Sequence, residues 1–383
     1  PIKVFDIERN DNAGGFAING ANSDDISGFG VSSAGDVNGD GLADVIVGAF
    51  GDDPNGSGSG ASFVVFGKTD GLAVELSSIE ANANNGGFAI NGVNTSDESG
   101  FSVSGAGDVN GDGLADVIVG ATGDDPNGSS SGASFVVFGK TDGTAVELSD
   151  LEQNANNTGF VINGANAADG SGRSVSDAGD VNGDGLDDLL IGASADDPNG
   201  NYSGASFVVF GKTDGTAIEL SALEQNADSS GFSINGANTN DESGFSVSSA
   251  GDVNGDGLAD LIVGAFGDDP NGSSSGASFV VFGKTNGTAV ELSDVGQNAT
   301  NTGFVINGIL SDDKSGRSVS NAGDVNGDGL ADLIIGAPAA DPNGNASGAG
   351  FVVFGKTDGT AVELSALEQS ADNSGFVING ASL

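Results

Sequence analysis

Five nonapeptides in this chain concentrate oxygen ligands at a spacing that suits a hard cation. The motif Asp-Val-Asn-Gly-Asp-Gly-Leu-x-Asp begins at Asp36, Asp108, Asp180, Asp252 and Asp324, one copy every 72 residues. In the first copy, 36–44, side-chain oxygens of Asp36, Asn38, Asp40 and Asp44 stand at positions 1, 3, 5 and 9, and Leu42 offers its backbone carbonyl at position 7. That alternation is the ligand pattern of calcium at six or more coordination, and Gly39 and Gly41 permit the backbone turns that wrap an ion. The set recurs as Asp108, Asn110, Asp112, Leu114 and Asp116 (108–116) and as Asp180, Asn182, Asp184, Leu186 and Asp188 (180–188). It recurs again as Asp252, Asn254, Asp256, Leu258 and Asp260 (252–260) and as Asp324, Asn326, Asp328, Leu330 and Asp332 (324–332). The expected cofactor is Ca2+, about five ions, one per repeat.

The opening hexapeptide Asp-x-Asn-x-Asp-Gly also begins helix-flanked calcium loops. Those loops need a bidentate glutamate at position 12, where this chain has Val47 and enters an apolar run. Left empty, three carboxylates within nine residues would repel one another in every copy. Magnesium fits less well, because it holds to octahedral geometry and keeps its waters.

Composition narrows the chemistry further. Among 383 residues, 55 acidic against 10 basic side chains give a formal charge of −45, which repels nucleic acid and anionic membrane surfaces. Charge of that density also opposes compaction unless cations neutralise part of it. Cysteine, histidine, methionine and tryptophan are absent, which removes disulfides, thiol nucleophiles, imidazole bases and soft-metal ligands. No apolar run approaches the ~20 residues of a spanning helix. The chain opens at Pro1 with no signal peptide and is read as a processed or excised segment, so an extracellular or cell-surface location is an inference.

The elements that carry the loops are short strands. Gly15–Gly20 alternates apolar and polar residues, as a half-exposed outer strand does. Gly28-Phe29-Gly30-Val31-Ser32 is rich in small residues and leads into the loop as an inner strand. Val45–Gly48 and Phe63–Phe66 are continuous apolar runs, the pattern of strands covered on both faces. Turn formers connect them at Asp53-Pro54-Asn55-Gly56 and Lys68-Thr69-Asp70-Gly71, and no segment carries a helical period. Four short antiparallel strands per unit predict an all-β protein, a β-propeller of four-stranded blades in five 72-residue repeats. Residues 1–383 are read as a single repeat domain, with 1–27 a partial leading unit that carries an outer strand.

The Gly-Phe-Ser-Val strand, the nonapeptide loop, the Leu-Ile-Val-Gly-Ala strand and the Gly-Ala-Ser-Phe-Val-Val-Phe-Gly strand together resemble the FG-GAP repeats of the integrin α-subunit propeller. The likeness covers nearly the whole chain. It implies calcium loops joining the first and second strands of each blade, with partners bound on the opposite face. Two features depart from that family. Gly-Ala-Pro is complete only at Gly336-Ala337-Pro338, and five loops stand where integrins have seven blades. The chain is therefore either a closed five-bladed ring or a segment of a larger array.

Outer-type strands occur at Phe16, Phe88, Phe160, Phe232, Phe304 and Phe376, one more than the sets of inner strands. A spare strand is an edge that can pair with another chain, giving a homopolymer. A second acidic set flanks the inner strands at Asp24-Asp25, Asp97-Glu98, Asp241-Glu242 and Asp312-Asp313, and at Asp52-Asp53 with its equivalents; it could bind further cations or bridge through calcium to a partner, but turn chemistry favours solvated turns. Arg173 and Arg317 replace the phenylalanine of Phe29, Phe101 and Phe245, with carboxylate pairing as the expected role, and Tyr202 is the single tyrosine.

Duplicated surfaces suit multivalent adhesion more than a single catalytic centre. The reading is therefore a calcium-binding extracellular module of a surface protein, adhesive or structural. Its partner is a protein or glycan on the face away from the loops, or copies of itself. The alternatives are a self-assembling filament or surface-layer subunit and a calcium-dependent lectin. An enzyme is not expected, because the aspartates are better used as ligands and no nucleophile has an activating base.

Overall fold

Apolar β-branched runs bounded by glycine pair with one another in the computed structural model, which describes residues 15–83, 86–155, 157–297, 302–369 and 373–381. Packing groups the chain into two compact units, Pro1–Asn163 with Lys212–Ile218, and Gly164–Gly211 with Glu219–Leu383.

In the first unit one blade is built of antiparallel strands Val31–Gly35, Asp44–Ala49, Ala61–Val65 and Gly87–Asn91. A second uses Ser99–Gly107, Asp116–Ala121, Ala133–Val137 and Gly159–Asn163. The middle strands are buried on both faces, and Phe63, Phe88, Phe135 and Phe160 are wholly enclosed. Each such ring contributes roughly 1.5–3 kcal/mol of hydrophobic stabilisation before the entropy of ordering it is counted. The blades pack closely enough that a Cβ on Gly48 would lie 2.1 Å from the carbonyl oxygen of Gly100, so no larger residue fits there.

The second unit holds three blades. Their inner three strands are Ser174–Gly179, Asp188–Ala193 and Ala205–Val209; Ser246–Gly251, Asp260–Ala265 and Ala277–Val281; and Ser318–Gly323, Asp332–Ala337 and Ala349–Val353. Gly231–Asn235, Gly303–Asn307 and Gly375–Asn379 complete them on the outside. The close approach recurs here, with a Cβ on Gly264 placed 2.0 Å from the Gly316 carbonyl oxygen.

Each outer strand thus follows the inner three of its own blade. The last one, Gly375–Asn379, pairs with Ala349–Val353, so the surplus strand is the first: among the described residues Ile18–Asn19 pairs in parallel with the two residues Val74–Glu75 and with no four-stranded blade. Helices, which the sequence pattern did not predict, precede the outer strands at Leu76–Glu80, Leu148–Glu152, Leu220–Glu224, Leu292–Gly296 and Leu364–Glu368. Each is five residues long and buries only its first and fourth residues, as with Leu76 and Ile79, which is too short to show a period. Among the described residues no helix is long and apolar enough to cross a membrane.

Consecutive repeats are clasped at two places. Val146–Glu147 adds in parallel to Gly87–Asn91, and the Glu147 carboxylate accepts from Asn91 Nδ2 at 2.6 Å and from Asn55 Nδ2 at 3.0 Å. In the second unit Glu291 accepts from Asn235 (2.7 Å) and Asn199 (2.8 Å), and Glu363 from Asn307 (2.7 Å) and Asn271 (3.2 Å). Lysines of the Gly-Lys-Thr turns lie over phenylalanines of the preceding outer strands. The Lys140 ammonium is 4.8 Å from the Phe88 ring centre, and that of Lys284 is 3.9 Å from Phe232.

Candidate metal centre

Each nonapeptide is folded by its own aspartates. In the first, Asp36 Oδ1 accepts the N–H groups of Gly39 (2.8 Å) and Asp40 (3.0 Å), and Oδ2 accepts that of Gly41 (2.9 Å). Asn38 Oδ1 accepts from the Asp40 N–H at 2.8 Å, and Asp40 Oδ1 from the Leu42 N–H at 2.9 Å. Gly39 and Gly41 adopt φ of 75° and 87°, where a side chain would be strained. The loops opened by Asp108, Asp180, Asp252 and Asp324 repeat these bonds.

The aspartate at position 9 has a different setting. Asp44 is 1% exposed and Asp116, Asp188, Asp260 and Asp332 are fully buried. Asp44 Oδ2 accepts the Val37 N–H (2.8 Å) and Oδ1 the Gly67 N–H (2.7 Å), tying the loop to the end of the third strand. The same two bonds hold Asp116, Asp188, Asp260 and Asp332. Burial pushes Asp116, Asp188 and Asp260 up to about 7; the two backbone donors oppose the rise, and the loop's position-5 and position-1 aspartates add to it. Asp44 is raised in the same way, mainly by burial. A divalent cation among these groups would reverse the shift by favouring the charged form. Every carboxylate oxygen engaged by one N–H keeps a second lone pair for a metal.

The five predicted ligand sets are therefore each gathered in one loop, with positions 1, 3 and 5 at the surface and position 9 beneath. The three carboxylates of a loop do not converge as tightly as another group. Among the described residues, Asp169, Asp196 and Glu224 are the acidic side chains that bring one oxygen each within 4.8 Å of one another.

The second acidic set is split: Asp24, Asp53 and Asp312 are exposed, as turn chemistry expects, whereas one residue of each pair is buried. Asp25, Asp52, Asp97, Asp124, Asp169, Asp241 and Asp313 are all 4–7% exposed and Asp196 is 3%. Burial raises Asp52 to about 6 and Asp124 and Asp241 to about 7, with neighbouring carboxylates adding to each. The turn pattern around these residues conceals that the chain folds back over them.

Arg173 and Arg317 lie over a phenyl ring, a contact that the expected carboxylate pairing did not include. Their guanidinium carbons lie 4.5 and 4.7 Å from the ring centre of Phe245, and Arg317 also covers Phe266 at 5.2 Å. At the matching place in the first unit, Phe29, Phe50 and Phe101 form a three-ring cluster with centres 5.0–5.6 Å apart. Tyr202 is half exposed, and its N–H donates to Asp197 at 2.6 Å.

Residues 99–137, 172–209, 243–281 and 315–353 match the FG-GAP repeat family. Over 166 residues the chain is 30% identical to integrin alpha-PS2 of Drosophila melanogaster, an alignment that takes in 42% of this chain and 11% of that protein. The chain thus matches only a small part of that relative's length.

Proposed function

We propose that this chain, four segments of which match the FG-GAP repeat, is a calcium-binding extracellular module, an adhesive or structural part of a surface protein, with one Ca2+ in each of its five loops. The observation that carries this reading is the identical folding of all five nonapeptides, each with a buried position-9 aspartate beneath a position-1 aspartate that is half-buried in all but the last and an exposed position-5 aspartate. Without an ion these groups repel one another; with one they become its ligands. At an extracellular-type dissociation constant of ~0.1 to 1 mM, ~10 mM calcium contributes about 1.4 to 2.7 kcal/mol per loop. Summed over the loops this rivals the ~5 to 15 kcal/mol net stability of a domain. The similarity to an integrin α chain supports a place outside the cell or at its surface. Thermal unfolding with calcium and with EDTA tests the reading, which expects a large loss of stability on chelation.

A second reading, self-assembly, is favoured by the two-residue pairing of Ile18–Asn19, which belongs to no four-stranded blade. An edge of this kind can add to a sheet of another copy. Electron microscopy in calcium would show polymers under this reading, and a strictly monodisperse monomer on light scattering would remove it.

A further inference from the structure

Three segments distant in sequence converge on one point in the second unit. Asp169 lies before the inner strand Ser174–Gly179, Asp196 follows the strand Asp188–Ala193, and Glu224 ends the helix Leu220–Glu224. Asp169 is 6% and Asp196 3% exposed, and Glu224 is half-buried. Backbone and amide donors satisfy one side of the group: Asp169 Oδ2 accepts the Asn166 N–H (2.7 Å), Asp196 the Asp197 N–H (2.7 Å), and Glu224 Oε2 the Asn166 Nδ2 (3.4 Å). On the other side no N–H or hydroxyl of another residue reaches the buried Asp196 Oδ2 and Glu224 Oε1; the two carboxyls can satisfy each other only by sharing a proton.

A buried carboxylate oxygen with no partner is costly, and two beside a third acid are more so. Burial raises the Asp196 carboxyl most, the charge of Glu224 and the hydrogen bond shared with it next, and the charge of Asp197 least. Two oxygens bound to one calcium at 2.3–2.6 Å lie no further apart than about 5 Å, and these lie within 4.8 Å. The arrangement supplies carboxylate oxygens only, which selects a hard cation, and it joins three separate chain segments rather than a rigid octahedral cage.

We propose that Asp169, Asp196 and Glu224 form a second Ca2+ site in the third repeat, separate from the nonapeptide loop. It joins the turn before the inner strand, the turn after the second strand and the helix before the outer strand. The other repeats show what the site requires. The first and second have the same residue types at Asp25, Asp52 and Glu80 and at Asp97, Asp124 and Glu152, but Glu80 and Glu152 are exposed and their oxygens do not converge. The fourth has Gly296 in place of the glutamate and the fifth has Ala340 in place of the second aspartate.

The test counts calcium ions bound to the full chain by native mass spectrometry, with equilibrium dialysis of radioactive calcium as a check. Asp196→Asn and Glu224→Gln each bind one ion fewer than the unmodified protein, and Asp268→Asn, its counterpart in the fourth repeat, binds the same number. An unchanged count in Glu224→Gln overturns the proposal and leaves the three carboxylates sharing protons. Glu224 is only half-buried, so this variant carries the test if Asp196→Asn does not fold. Empty nonapeptide loops give a different result: the unmodified protein then binds a single ion and Glu224→Gln none.

Discussion

In the loop at 180–188, every carboxylate oxygen of Asp180 and Asp188 accepts a backbone N–H, whereas at Asp169, Asp196 and Glu224 two buried oxygens accept nothing. The first arrangement is assembled from consecutive residues and holds its shape through its own backbone. The second depends on three segments, and one substitution, to Gly296 or Ala340, dismantles it. Local construction explains why the nonapeptide is intact in all five repeats while the buried triad converges in one. Both sets gather negative charge, but the triad leaves two of its buried oxygens without a donor from another residue.

The largest expected effect concerns both sets together. Removing calcium with EDTA lowers the melting temperature by some tens of degrees, on the order of the summed binding energy of several sites; a fall of one or two degrees would break the account. Next come single substitutions, which separate the two sets. Asp188→Ala strands the N–H groups of Val181 and Gly211 and costs about 2–4 kcal/mol in denaturant melts, even without calcium. Asp196→Ala in calcium-free buffer removes a buried carboxyl, gives up a single bond, from the Asp197 N–H, and leaves stability equal or higher. A comparable loss in both variants would erase the distinction.

Acidity probes the comparison more gently. Asp52 and Asp169 are raised by burial to about 6, and Asp124 and Asp241 to about 7. The unfolded carboxyls titrate near 4, so between these values the folded chain holds more protons and its stability falls as pH rises. Calcium-free protein should therefore melt at a higher temperature at pH 5 than at pH 8, and millimolar calcium should offset the loss at pH 8. A calcium-free melting temperature that climbs with pH contradicts the burial of this set. The smallest effect belongs to the clasps: Glu291→Ala gives up bonds from Asn235 and Asn199 and should cost about 1 kcal/mol, with calcium count unchanged.

Sequence spacing reveals whichever features are built from neighbouring residues. The nonapeptide ligands stand within one short stretch, and runs such as Phe63-Val64-Val65 declare their burial directly, so loops and blades were legible. Helices of five residues with two buried side chains have too few positions to display a period. The clasp between Asn55 and Glu147 spans 92 residues, and nothing near either residue announces the other. Asp169 and Asp196 sit among glycine, asparagine and proline, which reads as a solvated turn until the glutamate of a distant helix is brought against them. Arg173 and Arg317 were readable as breaks in a phenylalanine pattern, but their stacking on Phe245 depends on which strands become neighbours.

The most direct measurement is a crystal structure at millimolar calcium with anomalous scattering recorded to locate the ions. The account predicts a peak in each of the five loops, ligated by positions 1, 3, 5 and 9 and the position-7 carbonyl. Well-ordered blades with all five loops empty under those conditions would contradict it.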